Sequence, residues 1–213
     1  MESSVRPLRL GVLFSGGGRT LENLSERIRE GSLGGTISIS ISSTAKAGGV
    51  ERAKRLGVPC KVIEHSERKE TFSDDITHAL DEARVDLVCL AGFLKRYLFP
   101  ARYDGRILNI HPSLLPAFGG KGFYGDRVHD AVLKSGAKFS GCTVHFVTTE
   151  YDEGPIVLQR IVPVRPGDTV HDLAERVFAE ECLAYPEAIR LFAEDRLEVR
   201  DGKVIVRDRP ASR

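Results

Sequence analysis

The chain has 213 residues, 41% of them hydrophobic, and 31 Lys and Arg against 30 Asp and Glu, for a net charge of +1. A chain of this length can bury a full layered core without disulfide staples. Its charge balance excludes bulk attraction to nucleic acid or membrane, though not discrete anionic ligands. No apolar run reaches membrane-spanning length, and Met-Glu-Ser-Ser-Val-Arg lacks the apolar core of a secretory leader. Cys60, Cys89, Cys142 and Cys182 stand far apart with no metal-ligand spacing, which reads as reduced thiols in a cytoplasmic protein without a metal.

Leu8 to Phe14 is a short apolar strand, followed by Ser15-Gly16-Gly17-Gly18-Arg19-Thr20 and then by Leu21, Leu24 and Ile28 at helical spacing. Strand, glycine turn and helix together aim backbone N–H groups and a positive helix end at a phosphate. Gly17 and Gly18 allow close approach, Arg19 adds charge, and Thr20 can cap the helix or donate its hydroxyl. Leu21 stands where a dinucleotide fingerprint needs its third glycine, no acid closes the next strand, Thr36 to Ser43, and the Walker Lys-Ser/Thr is absent. A phosphate monoester fits this turn better than a dinucleotide or ATP; a turn that binds nothing is the alternative.

Gly48 to Gly57 reads as a helix and Cys60 to Ile63 as a third strand. Phe72, Ile76, Ala79, Leu80 and Ala83 mark a helix from about Lys69 to Arg84, and Leu87 to Ala91 is a strand covered on both faces. Gly92 to Tyr97 leaves its end as a loop with Phe93, Lys95 and Arg96.

Ile107 to Pro116 (Ile-Leu-Asn-Ile-His-Pro-Ser-Leu-Leu-Pro) is the centre of the reading. Asn109 and His111 sit two apart on a buried strand and so project from one side as it emerges into a loop. A carboxamide there can donate to a developing oxyanion, and an imidazole can move a proton near neutral pH. A cis bond is possible at Leu115–Pro116.

Ala117 to Gly125 reads as a mobile loop at the mouth of the site, or as a plain surface loop. Asp126 to Lys134 is a helix with His129 expected on the surface. In the strand Thr143 to Val147, Thr143 and His145 share a face and can support the site from behind. Thr148 to Pro155 is an acidic turn, and a carboxylate from it, paired with His111, would favour the imidazolium and orient the ring. After the strand Ile156 to Val162, Asp168 and Thr169 open a last long helix with Glu180 and Glu181 late in it. Leu197 to Val206 reads as a hairpin, with a frayed tail beyond. The order of elements predicts an α/β fold: a doubly wound, mostly parallel sheet with an antiparallel C-terminal part, in one domain over 1–213. Ligands of such sheets bind beyond the carboxyl ends of the strands.

Ser15 to Gly18, Ala91-Gly92-Phe93, Asn109 to Pro116 and Asp152-x-Gly154-Pro155, in this order and spacing, resemble the folate-dependent formyltransferases from about Leu8 to Phe192. The resemblance implies their Rossmann-like fold, with 1–105 as a phosphosugar-binding half, 106–195 as a catalytic and folate-binding half, and 196–213 as hairpin and tail. It implies transfer of a formyl group from 10-formyltetrahydrofolate, as co-substrate, to the amine of glycinamide ribonucleotide in purine synthesis. It places Asn109, His111 and Asp152 in the catalytic positions, Gly17, Gly18, Arg19 and Thr20 on the phosphate, and Glu181 near the ribose. Leu94, Lys95, Arg96, Tyr97, Leu108, Asn109, Thr148, Thr149, Glu150, Tyr151 and Asp152 would line the folate pocket, with Lys69 near the glutamate tail. Where the family often carries Asn, Ser, Asn and Arg, this chain has Gly17, Arg19, Thr20 and Lys95.

The expected partners are these small molecules alone, with no nucleic acid, membrane or metal, in a monomer or weak homodimer. Hydrolysis of the formyl folate, with water replacing the amine, and a non-catalytic phosphosugar-binding module are the competing readings. Transfer RNA formyltransferases carry a further C-terminal domain and want a basic surface, which this nearly neutral chain does not offer.

Overall fold

The computed structural model describes residues 7–208. The chain forms two compact units, Met1–Ile107 and Leu108–Arg213.

The first unit alternates β1 (Arg9–Phe14), α1 (Arg19–Arg29), β2 (Thr36–Ser42), α2 (Gly48–Arg55), β3 (Cys60–Val62), α3 (Phe72–Glu82) and β4 (Leu87–Leu90). Its strands lie in the order β3-β2-β1-β4, all parallel. β1 is the interior strand, and Leu10, Val12, Leu13 and Phe14 are fully buried, as expected of a strand covered on both faces. Gly11 belongs to this packing: a Cβ there would come within 2.6 Å of the Leu80 side chain on α3.

Two helices are shorter than their apolar periodicity suggests, and local hydrogen bonds give the reason. α2 stops at Arg55 because Gly57, with φ 69°, donates to the Lys54 carbonyl while Val58 donates to that of Ala53, a Schellman closure. α3 starts at Phe72, not Lys69, because Arg68 and Thr71 both turn back onto the Asp75 carboxylate, at 3.1 and 3.0 Å.

In the second unit, Leu108–His111 of β5 (Ile107–His111) pair antiparallel with β6 (Phe139–Phe146), which pairs antiparallel with β7 (Ile156–Pro163). α5 (Val170–Ala193) packs against β6, β7 and α4 (Asp126–Ser135). The C-terminal hairpin is present as β8 (Leu197–Arg200) and β9 (Lys203–Val206); the expected tail lies outside the described residues. β6 begins four residues before the expected strand. Gly141 interrupts the alternation there, yet the pairing demands it, since a side chain would strike the Arg160 carbonyl of β7 and Leu114. Thr169 starts α5 with a capping box: its hydroxyl accepts from the Asp172 N–H, and the Asp172 carboxylate accepts from the Thr169 N–H at 2.9 Å.

Two expectations are corrected. His129 is not on the surface but 4% exposed, beside Val128 and Val132 on the inward stripe of α4. Glu180 and Glu181 fall near the middle of α5, because that helix continues to Ala193.

Candidate active site

In the second unit, β5 delivers Asn109 and His111 from one side of the strand, and the turn after β6 returns Asp152 to them. Asp152 holds φ 57°, a left-handed conformation that Asp tolerates better than most residues. Gly154 lets this turn close, since any side chain there would strike the Phe146 carbonyl. Asp152 Oδ2 lies 3.5 Å from His111 Nδ1, and its Oδ1 lies 3.4 Å from Asn109 Nδ2. These three side chains, drawn from positions 109 to 152, therefore meet.

His145 joins them more intimately than a supporting role from behind would suggest. Its Nδ1 is 2.9 Å from the Phe146 carbonyl, which can only accept, so Nδ1 carries the proton. Its Nε2 then meets the Asn109 amide at 3.0 Å and stands 3.6 Å from Asp152 Oδ1. One Asn109 hydrogen is thus held firmly by His145, while the other has only the longer contact to Asp152. Thr143 does not reach the cluster: its hydroxyl donates to the Ser113 carbonyl and accepts from Leu115 N–H and Gln159, fixing the chain that follows His111. The Leu115–Pro116 bond in that segment is cis.

The loop after Pro116 covers the cluster with its backbone. His111 Nε2 donates to the Phe118 carbonyl at 2.8 Å, and Gly120 N–H donates to Asp152 Oδ2 at 2.9 Å. Burial lowers the His111 pKa below 6.5, and the Asp152 charge and the Phe118 carbonyl oppose this without reversing it. Asp152 does favour the imidazolium, as expected, but desolvation is the larger effect and the net shift of the His111 pKa is downward. For Asp152 burial pushes the pKa up, but His145, His111 and the Gly120 N–H together bring it below 3.8, so it is a carboxylate at pH 7.

The second unit also carries Leu108, fully buried with its carbonyl accepting from the Tyr185 hydroxyl at 2.9 Å, and an exposed turn from Thr148 to Tyr151. Glu181 is half-buried on α5, near Cys142, whose thiol burial pushes up to about 12 and so keeps inert.

In the first unit, Gly17 and Gly18 form the turn between β1 and α1. Gly18, left-handed at φ 74°, occupies the cap position, and no side chain caps the helix. Thr20 is therefore not the cap; with Arg19 it lies inside the first turn of α1. Ser15 braces the turn: its N–H donates to the Gly92 carbonyl at 3.0 Å, and its hydroxyl meets Ser43 at 2.7 Å and accepts from Leu94 N–H at 3.0 Å. The Gly92–Tyr97 loop is thereby tied to the glycine turn. In that loop Leu94, Lys95 and Arg96 are exposed, as is Lys69 before α3. Tyr97 is buried, with its hydroxyl 2.8 Å from Thr77 and its pKa pushed up to about 12 by burial. Tyr97 and Leu108 are both buried, Leu108 fully and Tyr97 at 7% exposure.

His145 is the site residue and His129 the buried imidazole that the sequence marked least. The shared face of positions 143 and 145 pointed to the former; nothing in the periodicity of α4 separates the latter from a surface residue. Among the described residues no group of His, Cys, Asp and Glu could hold a metal ion, and no helix is long and apolar enough to cross a membrane.

Comparison with known proteins extends over both units. Residues 8–189 match the family model described as formyl transferase. The chain is 41% identical over 213 residues to the chloroplastic phosphoribosylglycinamide formyltransferase of Vigna unguiculata, covering 97% of this chain and 68% of that protein. The crystal structure of glycinamide ribonucleotide transformylase 1 from Symbiobacterium toebii matches with a TM-score of 0.88 and 45% identity, covering 95% of each chain. A formyltetrahydrofolate deformylase from Pseudomonas syringae pv. tomato matches with a TM-score of 0.85 but 25% identity, covering 95% of this chain and 67% of that one. The α/β class, mostly parallel with an antiparallel C-terminal part, is that of these structures. A likeness this long, at this identity, shows the family: the chain belongs to the formyl transferase family.

Proposed function

We propose that this chain transfers the formyl group of 10-formyltetrahydrofolate to the amine of 5'-phosphoribosylglycinamide, the third step of de novo purine synthesis, and that residues 7–208 act as one functional domain. The observation that carries this reading is the meeting of Asn109, His111, His145 and Asp152 in a chain whose identity to glycinamide ribonucleotide transformylase 1 is 45%, against 25% to the deformylase.

In the reaction a C–N bond forms between the substrate amine and the formyl carbon, the bond from that carbon to the folate nitrogen breaks, and one proton passes from amine to folate. The tetrahedral intermediate carries an oxyanion. Asn109 donates to it with the hydrogen that only weakly contacts Asp152, while His145 holds the other; such a donor is worth about 3–4 kcal/mol of barrier. Asp152, a carboxylate, receives the amine proton through a water, and the His111 ring, whose Nδ1 lies 3.5 Å away, delivers a proton to the leaving nitrogen and is reprotonated from Asp152. No covalent enzyme intermediate is required.

In the first unit, Gly17, Gly18, Arg19 and Thr20 take the substrate phosphate; in the second, Glu181 takes the ribose. In the first unit exposed Lys69 suits the glutamate tail of the folate and exposed Leu94, Lys95 and Arg96 suit its pocket; in the second, exposed Thr148, Thr149, Glu150 and Tyr151 suit the same ligand. Tyr97 and Leu108 anchor from within. All four side chains of the catalytic cluster come from one chain, so a monomer or weak homodimer suffices. The four cysteines are free, in keeping with a cytoplasmic setting. The test supplies 10-formyl folate with and without glycinamide ribonucleotide. Formylated amine appearing only with the ribonucleotide is expected; formate released without it would replace transfer with hydrolysis.

A further inference from the structure

The glycine turn is enclosed by a second helix start that the motif does not contain. α2 opens at Gly48 after Ala47, again with no side-chain cap, and its Gly49 N–H donates to the Gly16 carbonyl at 3.0 Å. The two glycine runs meet backbone to backbone. A Cβ on Gly18 would come within 2.8 Å of Gly49 Cα, and a Cβ on Gly49 would come within 2.5 Å of the Phe14 ring and 3.0 Å of the Gly16 carbonyl. Gly49 sits in regular helix, where alanine is the better helix former by about 1 kcal/mol. Its lack of a side chain is therefore a matter of contact with the Phe14 ring, at the end of the strand that leads into the turn, and with the Gly16 carbonyl.

Charge is arranged to match. Glu22 lies in the first turn of α1, where its negative charge would repel an anion at the helix start. Its carboxylate is instead claimed by two arginines of α2's last turns, Arg52 on one oxygen and Arg55, at 2.6 Å, on the other. The same pairing clamps α2 onto α1. An acid beside the turn is thus neutralised by the helix whose first turn closes over the glycines.

We propose that Gly49 is a positioning residue for the substrate's phosphate monoester: it holds the Gly16–Gly18 turn at the aperture the phosphate needs, through the Gly16 carbonyl. This rests on reading the turn as a phosphate site. Any side chain at 49 pushes the Phe14 ring aside and presses on the Gly16 carbonyl, and so moves the turn's N–H groups off the phosphate oxygens, while leaving the Asn109 cluster untouched.

The test compares the full chain with Gly49→Ala. For the variant we expect KM for glycinamide ribonucleotide to rise about 10- to 100-fold, the equivalent of one or two charge-assisted hydrogen bonds. Its kcat and its KM for the formyl folate should stay near the parent's. An unchanged KM for the ribonucleotide in a folded variant overturns the inference. Should the variant not fold, amide NMR of the unmodified protein titrated with the ribonucleotide decides. A shift of the Gly49 amide together with those of Gly17 and Gly18 supports the proposal, and a Gly49 amide that stays still while theirs move overturns it. If no amide of the turn moves, the phosphate reading itself fails, a separate result.

Discussion

The Asn109 carboxamide is oriented by His145: an amide hydrogen meets His145 Nε2 at 3.0 Å, and the opposite ring nitrogen is fixed on the Phe146 carbonyl. An imidazole locked at both nitrogens tells the carboxamide which way to face, and facing is what an oxyanion donor needs. His145→Ala should lower kcat by up to the ~10²–10³-fold that loss of such a donor costs outright, with KM values little changed. Asn109→Ala sets the ceiling in the same assay. If His145→Ala raises KM and spares kcat, the imidazole has no hold over the chemistry.

Replacing His111 by Asn removes the proton carrier and keeps a polar group of similar reach. Turnover should fall by about 10²–10⁴-fold while substrate binding, measured by calorimetry, stays near intact. Full turnover in this variant would remove His111 from the reaction.

Asp152→Asn probes the charge with the backbone conserved, since Asn also accepts φ near 57°. Beyond a large loss of kcat, it should shift what activity remains. The Asp152 charge raises the His111 pKa against the effect of burial, so removing it lets that pKa fall further. The acidic limb of the kcat profile should move to lower pH. A limb that moves upward, or not at all, contradicts the coupling.

Stability should also depend on pH through the buried imidazoles. Burial holds both His111 and His129 below 6.5 when folded. Between their folded values and 6.5 the unfolded chain binds more protons, so their contribution is fully present above 6.5 and is lost as pH falls through that window. Denaturation midpoints should fall on acidification from about pH 7 toward pH 5. His129→Gln should flatten the slope.

Tyr185 spans from α5 to the Leu108 carbonyl, one residue before Asn109. Tyr185→Phe removes this buried hydrogen bond and should cost about 0.5–1.5 kcal/mol in urea unfolding. A loss of kcat beyond the loss of folded protein would show that β5 itself has shifted.

Much of the arrangement was legible from local rules. Period-two placement put Asn109 and His111 on one side of a strand, and the Asp152-x-Gly154-Pro155 turn was marked by its composition. What local rules could not supply was the balance of competing effects. The ion pair at His111 was apparent from residue types, whereas the stronger desolvation needed its 4% exposure. His129 was misplaced because two valines on a helix do not say how wide the buried stripe is. Tyr97 sits amid exposed loop neighbours, and only its bond to Thr77 shows it to be an inward anchor. Gly49 carries no motif; its meaning lies in a turn more than thirty residues earlier.

The hydroxyl of Thr143 spends its single hydrogen on Ser113 and both lone pairs on Leu115 and Gln159, and Gln159 also grips the Leu115 carbonyl. A saturated knot of this kind cannot trade partners without loss. Whatever swings when substrates come and go must pivot downstream of it, so amide exchange should be slow up to Leu115 and quicken only beyond Pro116. His111 stands before this knot, and the covering backbone of Phe118 and Gly120 comes after it.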